Sequence, residues 1–279
     1  MRVLVTNDDG IHSPGIAALA TALAEAGHTP VVAAPAADMS GASASIMRVH
    51  RDGHIEVARA DLGTEASVEA WCVDATPALA VLTGTLGAFG EPPDAVVSGI
   101  NAGLNTGLSI LHSGTVGAAL TAQRLGLSAM AVSLEPGDPW RWRTAADVAI
   151  AQFDWLARAP RGTMLNINVP DRPARSLAVR WVPLDPYGTV RASLADGESG
   201  RVQLEMRASG DEPAPGGDTA LVAAGYVTIT AVGGVHERAA PPDVAERPRP
   251  ELERSVEVLP VSPGTVRVGE TQRARPATH

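Results

Sequence analysis

Asp8 and Asp9 stand side by side directly after the first apolar run of the chain. Two adjacent carboxylates repel each other, and each is stabilised by a nearby cation. Gly10 and Gly15 follow, and glycine admits backbone conformations that other residues resist. Further along, the small-residue stretch Asn101-Ala102-Gly103-Leu104-Asn105-Thr106-Gly107 leads to Ser113-Gly114-Thr115, where a helix is expected to start. The free N–H groups and the dipole of such a start favour an anion such as phosphate. Ser40-Gly41 lies in a third loop; its hydroxyl serves as a turn or cap group, or lends an oxygen to a metal or a substrate. The plainer reading of Asp-Asp-Gly is a solvated Asx turn, and glycines in loops are mostly turn punctuation. The Gly-Lys-Ser/Thr of a Walker loop is absent, because the chain has no lysine.

The elements that must position these groups follow from apolar spacing. Val3, Leu4 and Val5 make residues 2–6 a buried strand, and Ile16, Leu19, Ala20 and Leu23 make residues 15–26 a helix. The carboxylates then sit at the carboxyl end of a strand, where open parallel α/β sheets gather their ligands. Residues 29–34 read as a second strand, so the loop with Ser40 belongs on the same edge. Residues 47–72 read as an antiparallel β excursion. Thr76-Pro77 caps a helix at 78–87. Residues 93–100, 129–134 and 164–169 read as strands, 115–125 and 144–158 as helices, and 177–182 as a flanking strand. Trp140 and Trp142 are expected to pack at the start of the second of these helices. Beyond residue 186 the pattern has period two: a hairpin with strands 189–193 and 201–206, then a strand at 226–232. The expectation is an α/β fold, a Rossmann-like doubly wound, mostly parallel sheet with a C-terminal β-hairpin extension. It divides into a doubly wound domain 1–185, an arm and returning strand 186–235, and a Pro/Arg-rich, loosely ordered tail 236–279.

Composition narrows the function classes. The 279 residues carry a formal charge of −9, and all 22 basic residues are arginine. An acidic chain of this kind has no whole-surface attraction for a nucleic-acid polymer or an anionic membrane. Aromatic residues make up 3 %, too few for a stacking platform on single strands. Cys72 is the only cysteine, which excludes an internal disulfide and makes it a small core residue. With no apolar run of membrane length and no leader pattern, the expected compartment is the cytoplasm.

Val5–Gly10 (VTNDDG), Ser40-Gly41, Val97–Asn101 (VSGIN), Ser113–Val116 (SGTV), Leu165–Pro170 (LNINVP) and Gly225–Thr230 (GYVTIT) occur in this order. The set resembles the SurE family, survival-protein phosphatases that act as 5'/3'-nucleotidases, over residues 1–232. The resemblance implies a metal-dependent phosphomonoesterase acting on nucleoside monophosphates, a homodimer or homotetramer with a swapped C-terminal hairpin or tail. It places one divalent ion per subunit, Mg²⁺ or Mn²⁺ with Ca²⁺ admissible, on Asp8, Asp9, Ser40 and Asn101. Asp8 and Asp9 are the implied catalytic carboxylates. Phosphate and substrate positions fall on Asn7, Gly41, Asn105, Ser113, Gly114 and Thr115. Hard oxygen donors of this kind suit such ions better than a thiolate-loving metal. Departures from the family pattern are Leu108, Ser109 and His112, which stand where acidic residues and a tyrosine are common. The competing reading is a nucleotide-binding protein of the same fold without turnover, or a phosphatase of another metabolite.

Overall fold

The computed structural model describes residues 1–46, 54–173, 176–186, 190–195, 203–208 and 212–235. Its centre is the strand β1 (Arg2–Thr6), whose successive side chains enter two different cores. Val3 and Val5 pack on one face of the sheet and Leu4 on the other. A strand covered on both faces needs a continuous apolar run rather than an alternating one, which is what β1 carries.

Helix α1 (Pro14–Glu25) follows, capped by Ser13, whose Oγ accepts the Ile16 amide at 3.4 Å, with Pro14 in the first turn. It buries Ile16, Leu19 and Leu23, each worth about 1.5–3 kcal/mol relative to exposure. Next come β2 (Thr29–Pro35), β3 (Val57–Arg59), β4 (Glu69–Val73) and α2 (Pro77–Thr85), the last capped by Thr76 as its sequence suggests. Then β5 (Ala95–Ala102), a 3₁₀ turn at Gly107–His112, α3 (Gly114–Arg124), β6 (Ser128–Leu134), α4 (Trp142–Leu156) and β7 (Met164–Val169) complete the wound part. The chain closes with β8 (Val179–Trp181), the hairpin β9 (Val190–Ala195) and β10 (Gln203–Ala208), α5 (Asp218–Ala223) and β11 (Val227–Ala231).

Among the described residues the main sheet has nine strands in the order β3-β4-β2-β1-β5-β6-β7-β11-β8. Pairings from β4 to β7 are all parallel; β3 on β4 and β11 on β7 are antiparallel. Helices α1 and α4 cover one face, α2 and α3 the other. The expected doubly wound architecture is therefore the observed one. Strand order reverses between β1 and β5, which opens a crevice at their carboxyl ends.

Four local expectations change. The excursion at 47–72, of which 47–53 lie outside the described residues, does contain an antiparallel pair, but its second strand β4 joins the main sheet parallel to β2. Strand β5 runs through Asn101 and Ala102, past an irregularity between Ser98 and Asn101, so Asn101 belongs to a strand rather than to the glycine-rich loop. Residues 107–112 form a 3₁₀ turn, and α5 was not foreseen. Trp140 and Trp142 stack with centroids 4.8 Å apart and pack on the core, as expected. Cys72 is partly buried against the same core. Parts of the expected hairpin strands, at 189 and 201–202, and the tail 236–279 lie outside the described residues.

Candidate active site

The turn after β1 is organised by Asn7, which is fully buried. Its Oδ1 accepts the Gly10 amide at 3.2 Å, and its Nδ2 donates to the Gly10 carbonyl at 3.1 Å and to Ser13 Oγ at 2.6 Å. One side chain thus closes the turn and ties it to the cap of α1. Gly10 has φ 100°, the left-handed region where glycine is favoured. Asn7 faces inward and leaves the crevice to the two residues after it.

Asp8 is buried and Asp9 half-buried. Burial, then the charge of Asp8, pushes the Asp9 carboxyl up from 3.8 to about 6; the Ala102 amide opposes this, and Asp38 adds to it. Asp9 Oδ2 is buried with no hydrogen-bond donor among the described residues. A carboxylate oxygen without a donor, beside a second carboxylate, fits a bound cation.

Helix α3 supplies the opposite wall. Ser113 caps it, accepting the Val116 amide at 3.1 Å. A Cβ on Gly114 would lie 2.7 Å from Asp8 Oδ2 and 2.8 Å from Asp8 Cβ, so only glycine lets Asp8 approach the helix end this closely. The Thr115 hydroxyl donates to Asp8 Oδ1 and lies 3.2 Å from Asn101 Oδ1. Its single proton serves Asp8, the shorter contact, which leaves the lone pairs of Asn101 Oδ1 open. Asn101 Nδ2 donates to the Gly103 carbonyl at 2.7 Å and fixes which way the amide faces. The first-turn amides of α3 have no intrahelical acceptor, and the positive end of the helix favours negative charge there.

Ser40 lies on the exposed loop after β2. Its hydroxyl and its amide donate to Asp38 Oδ1 at 2.6 and 2.7 Å, and these bonds hold the Asp38 carboxyl below its ordinary value. The Ser40 oxygen keeps its lone pairs. Met39 donates its amide to the Asp8 carbonyl at 2.7 Å, which brings this loop to the crevice. Gly41, at φ 84°, has open space around it.

Asn105 is held from below by β6 and β7. Its Nδ2 donates to Ser133 Oγ, its amide to Asn168 Oδ1, and its carbonyl accepts from Asn166 Nδ2 and Asn168 Nδ2, all at 2.8 Å. Asn101, Ser133 and Asn168 are cross-strand neighbours in register, so a polar row runs beneath the loop. His112 is exposed at the end of the 3₁₀ turn.

Asp8, Asp9, Asn101, Gly114 and Thr115 therefore converge, Ser113 caps the wall, Ser40 and Gly41 lie on the rim, and Asn7 and Asn105 fasten the two loops. Asp38, Ser133, Asn166 and Asn168 escaped the sequence reading. Asp38 looks like a solvated loop acid, and the asparagines read as ordinary strand residues. Among the described residues no three His, Cys, Asp or Glu side chains cluster as a metal site, so a cation here relies on two carboxylates and neutral oxygens.

The sequence model of the family described as Survival protein SurE matches residues 3–186. The chain belongs to the SurE family. Every residue of the converging cluster falls inside that SurE match, while α5 and β11 lie beyond it. The chain is 37 % identical over 254 residues to the 5'-nucleotidase SurE of Alkalilimnicola ehrlichii, covering 83 % of this chain and 89 % of the relative. It is 38 % identical over 238 residues to the 5'/3'-nucleotidase SurE of Cronobacter sakazakii, covering 82 % and 89 %. Among solved structures, the SurE protein from Aquifex aeolicus superposes with a TM-score of 0.68 at 28 % identity, covering 83 % of this chain and 93 % of that one. No helix among the described residues is long and apolar enough to cross a membrane.

Proposed function

We propose that this chain hydrolyses nucleoside 5'- or 3'-monophosphates to nucleoside and phosphate, with one divalent cation, Mg²⁺ or Mn²⁺, held by Asp8, Asp9, Ser40 and Asn101. The observation that carries the reading is Asp9 Oδ2, buried beside Asp8 with no donor among the described residues. The family supports it, since relatives covering most of the chain are named 5'-nucleotidase and 5'/3'-nucleotidase. When bound, the cation supplies charge to neutralise a phosphate oxygen and polarise phosphorus. Phosphoryl transfer asks the protein chiefly for positioning and charge stabilisation. Asp8 is held in one orientation by the Thr115 hydroxyl and by its fit against Gly114. The free amides at the start of α3 take up the negative charge that spreads over the phosphoryl oxygens. Asn105, clamped by Asn168, borders the same crevice.

Residues 1–185 form the phosphatase domain, 186–235 an arm with a returning strand, and 236–279 a tail. Strands β9 and β10 pair with each other and with no third strand among the described residues. A two-stranded ribbon is marginal alone, so the arm contacts a neighbouring subunit in a homodimer or homotetramer. The partners are small phosphomonoesters rather than nucleic-acid polymers or membranes, and the compartment is the cytoplasm.

A panel of nucleoside 5'- and 3'-monophosphates, with p-nitrophenyl phosphate as a generic substrate, tests this in Mn²⁺, Mg²⁺ and EDTA. Release of phosphate that needs the cation is the expected result. Full turnover in EDTA overturns the metal assignment. Nucleotide binding without phosphate release makes the chain a binding protein.

A further inference from the structure

Asp218 lies outside the site described above and is fully buried. A buried carboxylate needs partners, and this one has several. Its Oδ1 accepts the amides of Asp185 and Thr219, each at 2.8 Å. Its Oδ2 accepts the Gly107 amide at 3.0 Å; the same amide lies 3.2 Å from Oδ1. Burial pushes the carboxyl above its ordinary value, while the three amides pull the other way. The Asp185 carboxylate adds to the rise, so the three amides are what compensate the buried charge.

The position of Gly107 gives this grip its meaning. Gly107 is buried, at φ 59°, two residues after Asn105 and at the head of the 3₁₀ turn that ends in the Ser113 cap. Asn168 fastens the segment at Asn105. Between Asn105 and Ser113, the segment is anchored from outside, among the described residues, by Asp218 on the Gly107 amide and by Ser43 Oγ on the Leu111 carbonyl, at 2.7 Å. The Ser43 anchor sits on a part-exposed loop, whereas Asp218 rises from the buried start of α5.

Resting on the phosphatase reading, we infer that Asp218 is a positioning residue: its Oδ2 holds the Gly107 amide and so fixes the segment that carries Asn105 at one end and Ser113-Gly114-Thr115 at the other. The two oxygens have unequal duties, the Gly107 amide lying nearer Oδ2 and reaching Oδ1 only at 3.2 Å. Oδ1 ties the start of α5 to Asp185, and Oδ2 serves Gly107 alone among the described residues. Asp185 in turn accepts the Ala214 amide at 2.8 Å, so Oδ1 also closes the base of the 186–217 excursion.

This inequality makes Asp218→Asn a selective change. The amide oxygen keeps the Asp185 and Thr219 bonds, because turning the amide over would lose two bonds to save one. The new NH₂ then meets the Gly107 N–H, donor against donor, and leaves that amide only the longer 3.2 Å contact to the side-chain oxygen. The cation ligands Asp8, Asp9 and Asn101 are carried by the ends of β1 and β5 and stay in place.

The full-length variant is compared with wild type by hydrogen-exchange mass spectrometry and by steady-state kinetics on p-nitrophenyl phosphate. Expected are faster exchange confined to residues 103–113, a rise in KM of about tenfold, and a Mn²⁺ concentration for half-activation unchanged within about twofold. Unchanged exchange at 103–113, unchanged KM, or faster exchange spread over the whole sheet each overturns the proposal. So does an unfolded variant, which makes Asp218 a residue of the whole fold. If wild type proves inactive, the phosphatase reading fails while the exchange result still decides whether Asp218 holds Gly107.

Discussion

Thr115 and Asp8 are 107 positions apart in the chain, and the hydroxyl of one donates to the carboxylate of the other in a fully buried contact. The bond joins the first turn of α3 to the end of β1, across the point where strand order reverses. Hydrogen bonds to a charged group contribute about 1.5–3 kcal/mol, and a buried acceptor that loses its donor bears the full desolvation cost.

Thr115→Val keeps the shape and removes the proton. We expect kcat/KM on a nucleoside monophosphate to fall by about ten- to a hundredfold, with the Mn²⁺ requirement raised, and Thr115→Ser to stay near wild type. Steady-state kinetics of the pair decides it; a valine variant as active as the serine variant would count against a role for this bond.

Gly114→Ala sets two effects against each other. Alanine is favoured over glycine in a helix by about 1 kcal/mol. The new Cβ, however, would stand 2.7 Å from Asp8 Oδ2 and 2.8 Å from Asp8 Cβ, and the second of these cannot be relieved by turning the carboxyl alone. Sterics wins: activity falls by at least about a hundredfold, because a small displacement of a catalytic group is that costly. Circular dichroism should still report the native helix content. Activity within a few fold of wild type would mean that Asp8 has room the geometry denies it.

Much of the frame was legible because its signals are strong and local. Val3-Leu4-Val5 reads as a strand covered on both faces, and Thr76-Pro77 as a helix start, and both occur. The convergence of Asp8 with Thr115 was reachable only through topology and family resemblance, since nothing local in either stretch points to the other. What stayed hidden depends on tertiary contact. Residues 218–223 make a helix too short to show a period, and Asp218 looks like an ordinary first-turn acid until Gly107 is found against it. The Gly107–His112 turn is too short to show any period. In the sequence the strand reads as ending at residue 100, which leaves Asn101 to the glycine-rich loop; the structure carries β5 on through Gly99. A Cβ there would stand 2.4 Å from the Val132 carbonyl oxygen, so glycine lets β5 continue pressed against β6.

Ending the chain at Val235 is expected to leave the enzyme intact. Residues 1–235 form one compact unit with a core on each face of the sheet, and the family match ends at residue 186. The removed segment carries Pro241, Pro242, Pro248, Pro250, Pro260 and Pro263, and none of the proposed site residues. The melting temperature should shift by less than about 4 °C and the rate at saturating Mn²⁺ by less than about tenfold. A folded truncation with a larger loss of rate would make the tail part of the catalytic unit.

Asp9 gives the pH prediction, and its sign follows from linkage. Its carboxyl titrates near 6 in the folded, metal-free protein against 3.8 for an ordinary aspartate, with burial as the first cause and the charge of Asp8 as the second. The folded state therefore binds more protons than the unfolded state between these values. The contribution of Asp9 to stability is fully present below about pH 4 and is lost as pH rises through about 6. Asparagine at this position carries no charge at any pH and escapes that loss. In EDTA, Asp9→Asn should thus melt above wild type at pH 7.5, and the gap should shrink steadily as pH is lowered toward 4. Such a gain accompanied by loss of activity is the usual trade at a strained functional site. A cation reverses the order, because it binds the ionised carboxylate and must displace the proton. The Mn²⁺ concentration needed to restore wild-type stability should rise by about tenfold for each pH unit below 6, and Asp9→Asn should show no such slope from this group. Thermal melts of both proteins across pH, with and without Mn²⁺, measure all three terms. If wild type and Asp9→Asn differ by the same amount at pH 4.5 and pH 7.5 in EDTA, Asp9 is not the strained carboxylate that the crevice geometry makes it.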